Sequence, residues 1–338
     1  MKWFRNWKFT VPLILFCGIL IFGFFIYHKY LPTNHFEQID IPVLVKPSAA
    51  SDQPISPSDV QDDLNLLHNK ALTEQEDQSQ INHSFNVLIL GTDARDDELS
   101  RTDVIMVAHV DPEKKQVNLI SVPRDTRVMI PGVGYTKVNH AHILGESKGG
   151  NHAGTESVMQ IISDFFGISI NYYVKTDFEG FERFINQIDG IDVDLDEAIH
   201  VTYSDNRVIG PGPQHLDGES ALMLVRERKS LPDGDFGRQK NQALMLKALA
   251  KKLLQWDYIK QLPSLISQIK EDVIDTNFKD DDLISLAWMM ADIRSDQIEY
   301  SSIPGHSDRL MDPLLRMELY YWIPDLAEVK LLSERLFK

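Results

Sequence analysis

The sequence predicts an α/β fold, a single extracytoplasmic domain with a central mixed β-sheet flanked by helices, preceded by one transmembrane helix. Three observations support this fold class. The 19 residues from Phe9 to Tyr27 carry no charge, which is about the length a helix needs to cross ~30 Å of hydrocarbon. Strand-like segments follow from Phe85 onward. Beyond them, helical and strand-like segments alternate to the end of the sequence, an order typical of α/β proteins.

The basic residues on either side of the apolar run predict its orientation in the membrane. Three of the first eight residues are basic, whereas only Lys29 closely follows the run. The positive-inside bias therefore predicts a cytoplasmic tail at 1–8, a transmembrane helix at 9–27 and an outer location for the rest. A cleavable signal peptide has a shorter apolar core and a cleavage site of small residues, and this sequence shows neither. We therefore expect an uncleaved, single-pass anchor.

The negative net charge and the single cysteine limit the functions and the disulfide content that the protein can have. The formal net charge is −16, and because residues 1–8 contribute +3 the remainder carries −19. Such a surface argues against nucleic-acid binding, which needs basic residues. Cys17 is the only cysteine, so the outer domain has no disulfide and depends on its core. This is consistent with a bacterium whose surface proteins do without disulfides.

The composition of the residues after the predicted transmembrane helix indicates a linker followed by a folded domain. Residues 28–84 are rich in Pro, Ser, Gln and Asp and have little to bury, which predicts an extracytoplasmic stalk with at most a short helix around Val60–Leu72. Residues 85–338 have the patterning of one folded α/β domain.

Hydrophobic periodicity places the elements of this domain. Buried strands are predicted at Phe85–Leu90, Val104–Val110 and Gln116–Val122, and the last two form a hairpin around the turn DPEKK. A long loop is expected at 123–145. The remaining predictions are helices at 155–166, 178–188, 218–224, 236–256, 262–273, 280–290 and 324–337, and strands at 171–176, 190–195 and 297–303.

Three loops between these elements are dense in charge. Crevices at strand ends are the usual ligand sites of open α/β sheets. The candidate residues are Asp93, Arg95 and Asp103 in the first loop, Arg124 in the second, and Arg226, Arg228, Asp235, Arg238 and Gln242 in the third.

Spacing in the third loop indicates an anion site. Arg226 and Arg228 are two apart, so on extended chain their side chains point the same way. Asp235 stands at the expected start of a helix, in the place of an N-cap. Arg238 and Gln242 share a face of that helix. A helix N-terminus with an arginine in its first turn favours anions, and guanidinium groups match phosphate oxygens bidentately.

The carboxylates among these arginines allow several roles. Asp93 and Asp103 suit a Mg²⁺ site that also takes phosphate oxygens, and Asp235 suits a base that activates a hydroxyl nucleophile. The four arginines and three aspartates together carry +1, which Mg²⁺ would raise to +3, enough to hold a pyrophosphate diester. Alternatively, Asp235 is only an N-cap and the run RERK only a solvated surface.

Histidines cluster in the segment after the second charged loop. His140, His142 and His152 could bind zinc, but no cysteine or carboxylate completes a spaced site, so anchoring of the loop is the favoured interpretation. Lys137, just before them, is the better candidate for a phosphate or sugar contact.

The ordered motifs resemble those of the LytR–CpsA–Psr family over about residues 85–255. The matching pieces are NVLILGTDAR, SRTDVIMVAHVDP, VNLISVPRDTRV, GYTKVNHAH, YYVKTDFEGFERFINQIDGIDVDL, GPQHLDGESALMLVRERK and GDFGRQKNQ. The resemblance implies a Mg²⁺-assisted phosphotransferase at the outer face of the membrane. Such an enzyme moves a wall teichoic acid or capsular polysaccharide from a polyprenyl-pyrophosphate carrier to peptidoglycan. One departure from the pattern is a short loop between Asp93 and Asp103.

The resemblance also assigns roles to residues. It implies metal-linked aspartates at Asp93 and Asp103 and a base at Asp235. The implied pyrophosphate clamp is Arg124, Arg226, Arg228 and Arg238, with supporting contacts from Arg95, Lys137 and Gln242. The resemblance further implies a tunnel for the prenyl chain between the sheet and the helices. Its candidate lining residues are Phe165, Phe181, Phe184 and Leu246. For each of them, ordinary packing in the core is the alternative.

Two other functions are also compatible with the sequence. Family names include transcriptional attenuators, but an acidic domain outside the membrane is poorly placed to touch DNA. A polyprenyl-pyrophosphate hydrolase, with water replacing the sugar hydroxyl, would use the same site.

Overall fold

A computed structural model of the chain describes residues 7–38, 83–93, 99–204, 207–253, 275–291, 293 and 297–337, with the backbone alone for 7–17 and 291. The helices predicted at Val60–Leu72 and 262–273 lie outside the described residues, as does Arg95. The predicted division of the chain into tail, anchor, stalk and domain stays a prediction.

Strands and helices follow one another largely as the sequence predicts. The described strands are β1 (Phe85–Thr92), β2 (Thr102–Asp111), β3 (Gln116–Ser121), β4 (Arg127–Ile130), β5 (Gly134–Lys137), β6 (Tyr172–Asp177), β7 (Ile191–Leu195), β8 (Ile199–His200), β9 (Val208–Ile209), β10 (Gly212–Leu216), β11 (Asp275–Thr276), β12 (Ile298–Ser302), β13 (Gly305–Met311) and β14 (Glu318–Pro324). The described helices are α1 (Trp7–Tyr30), α2 (Pro32–Gln38), α3 (His140–Phe166), α4 (Phe178–Gln187), α5 (Gly218–Arg226), α6 (Asp235–Leu253), α7 (Asp280–Ala291) and α8 (Leu326–Leu336).

The central sheet has the order β11–β6–β1–β2–β3–β12 and is mixed, as predicted. Strand β1 runs antiparallel to β2 and parallel to β6, β2 runs antiparallel to β3, and β3 runs parallel to β12. The C-terminal ends of β1, β3, β6 and β12 therefore meet at one edge of the sheet, beside the start of β2. This edge carries the first two charged loops.

Side chains alternate between the two faces of the sheet because successive residues of a strand point in opposite directions. Leu88 and Leu90 of β1 pack with α3 and α8 on one face. Val87 and Ile89 face the other way, toward Leu246 of α6 and the apolar side of α7. Helices α4, α5 and α6 also enclose a separate core with strand β7. The space between that core and the second face of the sheet holds the candidate site.

The segment expected to be a long loop at 123–145 is structured, so that prediction was wrong. Strands β4 and β5 form a hairpin. Gly132 in its turn and Gly134 at the start of β5 have φ of +77° and +102°, a region open mainly to glycine. Helix α3 starts at His140, well before the predicted 155, and is kinked where Gly149 and Gly150 leave helical geometry. These two glycines break the hydrophobic period on which the prediction relied.

The N-terminal helices contact the domain. Phe36 of α2 is 2% exposed, and its ring centroid lies 4.5 Å from that of Phe85 at the start of β1. His35 Nε2 lies 2.9 Å from Asp282 Oδ1 of α7 in a buried pair. Residues 32–38, within the predicted stalk, are thus packed against the domain. In the described part of the chain, no helix combines the length and apolar character needed to cross a membrane, so the predicted transmembrane helix stays a prediction.

Candidate active site

A cavity of about 390 Å³ lies between the second face of the sheet and helices α4, α5 and α6. One end is lined by charged and polar side chains from the edge where β1, β3 and β6 end. The other end is apolar. Its lining residues on the sheet are Ile89, Val104, Met106 and Val174, and those on the helices include Phe181, Phe184, Leu222, Val225, Met245, Leu246 and Leu249.

Arg226 and Arg228 both line the polar end, as their spacing predicts. Helix α5 ends at Arg226, and the next residue, Glu227, is extended with φ −65° and ψ 134°. The Arg226 guanidinium lies over two rings, 4.3 Å from the centroid of Phe178 and 5.0 Å from that of Tyr203. These cation–π contacts hold its plane while its N–H groups stay available to an anion.

Glu227, between the two arginines, is 1% exposed. Its Oε1 accepts hydrogen bonds from the backbone N–H groups of Arg228, Lys229 and Ser230 at 2.7–3.0 Å. Its Oε2 accepts from the backbone N–H of Thr202 at 2.6 Å. Burial opposes ionisation, but these hydrogen bonds outweigh it and hold the pKa of Glu227 below its usual value. The sequence pattern did not indicate a role for Glu227.

Arg238 and Asp235 occupy the first turn of α6. Arg238 is 4% exposed, and its Nη2 lies 2.7 Å from Asp235 Oδ1. Asp235 is the first residue of the helix rather than its N-cap, because the carbonyl of Gly234 accepts the hydrogen bond from the N–H of Arg238. Its Oδ2 accepts from Gln239 Nε2 at 3.2 Å. Capping therefore does not account for Asp235.

Arg124 joins this group from the end of β3. Its Nη1 donates to Asp103 Oδ1 at 2.5 Å, and the carbonyl of Asp103 accepts from Arg238 Nη2 at 3.4 Å. Burial would lower the pKa of Arg124, but the carboxylates of Asp103, Asp125 and Asp235 outweigh it and raise the pKa. Burial lowers the pKa of Arg238, yet a guanidinium group stays charged in proteins.

Two buried donors at this end have no acceptor among the described residues. They are the Nε–H groups of Arg124 and Arg238. Arg124 Nε comes no closer than 3.7 Å to Asp125 Oδ2. A buried donor without an acceptor costs free energy, so such groups indicate where a ligand supplies the missing oxygen atoms. Guanidinium donors select an anion.

A family model, the LytR_cpsA_psr family, matches residues 57–338. The chain belongs to this family. Its relatives include a polyisoprenyl-teichoic acid–peptidoglycan teichoic acid transferase TagU of Bacillus anthracis, 30% identical over 250 residues that make up 74% of this chain and 77% of the relative. The transferase TagV of Bacillus subtilis is 32% identical over 73% of this chain and 62% of the relative.

Solved structures of family members have the same fold. The crystal structure of B. subtilis TagV has a TM-score of 0.63 and 30% identity, over 75% of this chain and 95% of that one. TagT bound to LIIa-WTA has a TM-score of 0.61 and 25% identity, over 75% of this chain and 89% of that one. The LytR–CpsA–Psr resemblance and the mixed-sheet α/β fold are thereby confirmed.

The two aspartates expected to bind metal in this family member lie at neighbouring strand ends. Asp93 Oδ1 accepts from the N–H of Arg101 at 2.6 Å, and Asp103 Oδ1 accepts from Arg124. The second oxygen of each carboxylate accepts no hydrogen bond from a described residue. In the described ranges, no three His, Cys, Asp or Glu side chains converge as metal ligands. Two hard oxygen donors with room for substrate and water oxygens are nevertheless a donor set that fits Mg²⁺.

Other predicted site residues are placed differently. Lys137 does not line the cavity; its Nζ donates to Asp125 Oδ1 at 2.6 Å, and Asp125 also faces Arg124. Gln242 does line it, and its Nε2 donates to the carbonyl of Val225 at 3.1 Å. Gln242 thus ties α6 to α5 just before Arg226.

The three histidines considered as zinc ligands do not converge, and the two in the motif NHAH anchor structure. His140 Nδ1 lies 2.8 Å from Thr136 Oγ1. His142 is fully buried and contacts Ser100, whereas the side chain of His152 is 68% exposed. This arrangement agrees with the favoured interpretation of loop anchoring.

Three of the four expected tunnel residues line the cavity. Phe181, Phe184 and Leu246 do so. Phe165 packs instead with the core on the opposite face of the sheet, so its assignment was wrong. Helix α3 lies on that face, and helical periodicity alone does not show against which side of a sheet a helix packs.

Proposed function

We propose that this chain transfers an anionic glycopolymer, of the wall teichoic acid or capsular polysaccharide type, from a polyprenyl-pyrophosphate carrier to peptidoglycan. The observation that carries the proposal is the convergence of four arginines at the polar end of a cavity whose other end is apolar. The names of the relatives TagU and TagV support teichoic acid as the donor class and peptidoglycan as the acceptor.

The cavity matches the two chemical halves of such a donor. Arg124, Arg226, Arg228 and Arg238 face the pyrophosphate and balance its charge. The apolar end takes the first isoprene units of the lipid, and a volume of about 390 Å³ falls within the range of small-ligand pockets. Placing charge donors before the substrate arrives stabilises the transition state of phosphoryl transfer.

The chemistry is a substitution at phosphorus. The oxygen of an acceptor sugar hydroxyl forms a bond to the phosphorus that carries the glycopolymer. The bond from that phosphorus to the bridging oxygen breaks, and polyprenyl phosphate leaves with the electron pair. Asp235, which caps no helix and lies 2.7 Å from Arg238, accepts the proton of the hydroxyl. The product is a phosphodiester.

We also propose Mg²⁺ as the cofactor, with Asp93 and Asp103 as its protein ligands. A divalent cation there would supply positive charge beside the phosphate oxygens. Arg95 and Lys137 are proposed supporting contacts, Lys137 through Asp125 and Arg124. We further propose that residues 9–27 anchor the chain in the cell membrane of a Gram-positive type envelope. The N-terminus is then cytoplasmic and the domain extracytoplasmic.

The test uses the full chain in a bilayer with a polyprenyl-pyrophosphate-linked saccharide, with and without peptidoglycan. Transfer yields a saccharide–glycan phosphodiester and polyprenyl phosphate. Asp235→Asn should lower turnover by about 10²- to 10⁴-fold, the range expected for loss of a general base. The matched control is Asp233→Asn, because Asp233 is exposed and paired with Lys240, and it should keep normal turnover. Hydrolysis alone, even with acceptor present, would refute the transferase.

A further inference from the structure

The β13–β14 hairpin forms a wall beside the polar end of the site. The backbone N–H of Trp322 on β14 donates to the carbonyl of Asp125 at 3.0 Å. The Trp322 ring meets that of Phe236 edge-on, with centroids 4.7 Å apart. Because Phe236 directly follows Asp235, the hairpin is fixed against the start of α6, where the proposed base lies.

Tyr320 extends this wall toward solvent. Residues two apart on a strand share a face, so Tyr320 lies on the face of β14 that carries Trp322. Tyr321 points the opposite way; it is fully buried and its hydroxyl donates to Asp312 Oδ2 at 2.5 Å. Tyr320 is 40% exposed. Tyr320 therefore lies on the face of β14 that is turned toward the start of α6, with part of its ring open to solvent.

The charges around Tyr320 agree with this placement. Burial raises the pKa of Tyr320, and the carboxylates of Asp125 and Asp235 raise it further. Tyr320 is therefore within electrostatic reach of the proposed base. Asp235 does not line the cavity, and its side chain is 22% exposed. The base thus lies at the rim, between the cavity arginines on one side and the hairpin on the other.

This geometry separates the two substrates. The arginines and the apolar end of the cavity account for the pyrophosphate and the lipid of the donor. The second substrate must reach Asp235 from outside the cavity, and the wall on that outer side is the hairpin with Tyr320. A sugar ring has apolar C–H faces and polar edges. It is thus suited to lie on a half-open tyrosine ring while one of its hydroxyls points to a carboxylate.

We propose that Tyr320 forms an acceptor subsite, in which its ring stacks on a sugar of the acceptor glycan and holds the attacking hydroxyl toward Asp235. This inference rests on the proposed function. It assigns the outer rim of the site to the acceptor and gives the β13–β14 hairpin a binding role.

Steady-state kinetics of the full chain in a bilayer test the subsite. Tyr320→Ala should raise the KM for peptidoglycan fragments about tenfold, the loss expected for one stacked ring. The KM for the lipid-pyrophosphate donor should not change, nor should its hydrolysis without acceptor. Tyr320→Phe should restore the acceptor KM because it keeps the ring. The matched control is Leu331→Ala on α8, where Leu331 is 59% exposed.

The outcomes separate the subsite from the proposed function. Normal transfer by the wild type with an unchanged acceptor KM in Tyr320→Ala would overturn the subsite alone. A raised donor KM would also overturn it, because Tyr320 would then contact the glycopolymer of the donor. A wild-type protein that never transfers saccharide to glycan would overturn both the subsite and the proposed function.

Discussion

Glu227 accepts a hydrogen bond from the backbone N–H of Thr202 at 2.6 Å, although the two residues lie 25 positions apart. The same carboxylate binds three successive N–H groups of the loop after α5. One buried group therefore fixes the loop that presents Arg228 and also the segment that carries Tyr203, the ring against Arg226. Glu227 is therefore a positioning residue for two arginines.

Glu227→Gln should impair this arrangement. The amide keeps one acceptor oxygen but turns an N–H₂ group toward backbone donors, which leaves some of them unpaired at about 1–3 kcal/mol each. We expect a roughly 10- to 100-fold lower kcat, because small displacements of clamp residues slow transfer strongly. Turnover and thermal unfolding would be measured together. Glu219→Gln is the control, since Glu219 is an exposed partner of Arg207, and an unaltered kcat in Glu227→Gln would exclude the positioning role.

Arg226 and Arg228 should each be essential to turnover. Alanine at either position is expected to lower kcat by about 10²- to 10³-fold, the usual effect of removing a donor to transition-state charge. The fold should persist, because neither side chain forms an ion pair with a described residue. Circular dichroism checks the fold, and Arg335→Ala, at an exposed pair with Glu299, is the control. Full activity in both variants would refute the clamp.

The variant Arg226→Lys tests whether turnover depends on the positive charge at position 226 alone or also on the planar shape of the guanidinium group. Arg226 lies over the rings of Phe178 and Tyr203, and a planar guanidinium stacks there as an ammonium group does not. We expect Arg226→Lys to lose nearly as much turnover as Arg226→Ala. A recovery to wild-type rates would show that only the positive charge matters.

Five strands of the central sheet could be predicted from the sequence because their apolar residues are bounded by polar turns. Strand β11 could not, because it consists of the two polar residues Asp275 and Thr276. The hairpin β13–β14 could not be predicted in this way, because β13 is mostly polar and exposed. Only Tyr321 of β14 is buried, although that strand is rich in apolar residues. The spacing of Arg226 and Arg228 in the string RERK predicts that they point the same way, and both line the cavity. Glu227 was hidden in that string, since a glutamate within a charge run is usually solvated, and its partner Thr202 is distant in sequence.

Low pH should destabilise the domain before carboxylates are protonated. His109, His140 and His142 are buried, and burial lowers the pKa of each below its ordinary 6.5. At pH values between the native-state pKa and 6.5, the histidines bind more protons in the unfolded chain than in the native state. The free energy of unfolding therefore rises with pH in this window, and the full contribution of the buried histidines is reached above about pH 6.5. Carboxylates with a lowered pKa, such as Glu227, stay ionised throughout it.

The measurement is the thermal unfolding midpoint at pH 7.5 and at pH 5.5. We expect a lower midpoint at pH 5.5. His152→Ala should show the same difference as the wild type, because His152 is exposed and does not report on burial. Equal midpoints at the two pH values would mean that the three histidines are not buried as neutral groups.

Phe36 should stabilise the whole domain, although it precedes β1 by almost 50 residues. Its ring is buried against Phe85 and Tyr172, so Phe36→Ala should lower the free energy of unfolding by about 3–5 kcal/mol. Denaturant titration of the full chain in detergent measures this. Leu326→Ala, at a side chain that is 67% exposed, should change it little. A negligible effect of Phe36→Ala would mean that α2 does not pack on the sheet in solution.

Leu249 offers a direct test of the apolar end of the cavity. It lies on α6 among the lining residues farthest along the helix from Arg238, so Leu249→Trp should displace the outer part of a bound lipid. Burial of one methylene contributes about 0.8 kcal/mol, and the exclusion of two should raise the KM about tenfold. This rise is expected for a long polyprenyl-pyrophosphate donor but not for a short-chain analogue that ends before Leu249. Leu331→Trp, on the exposed side of α8, controls for added bulk. An equal change in KM for both donors would mean that the cavity does not hold the tail, because only a ligand that reaches Leu249 can sense the indole.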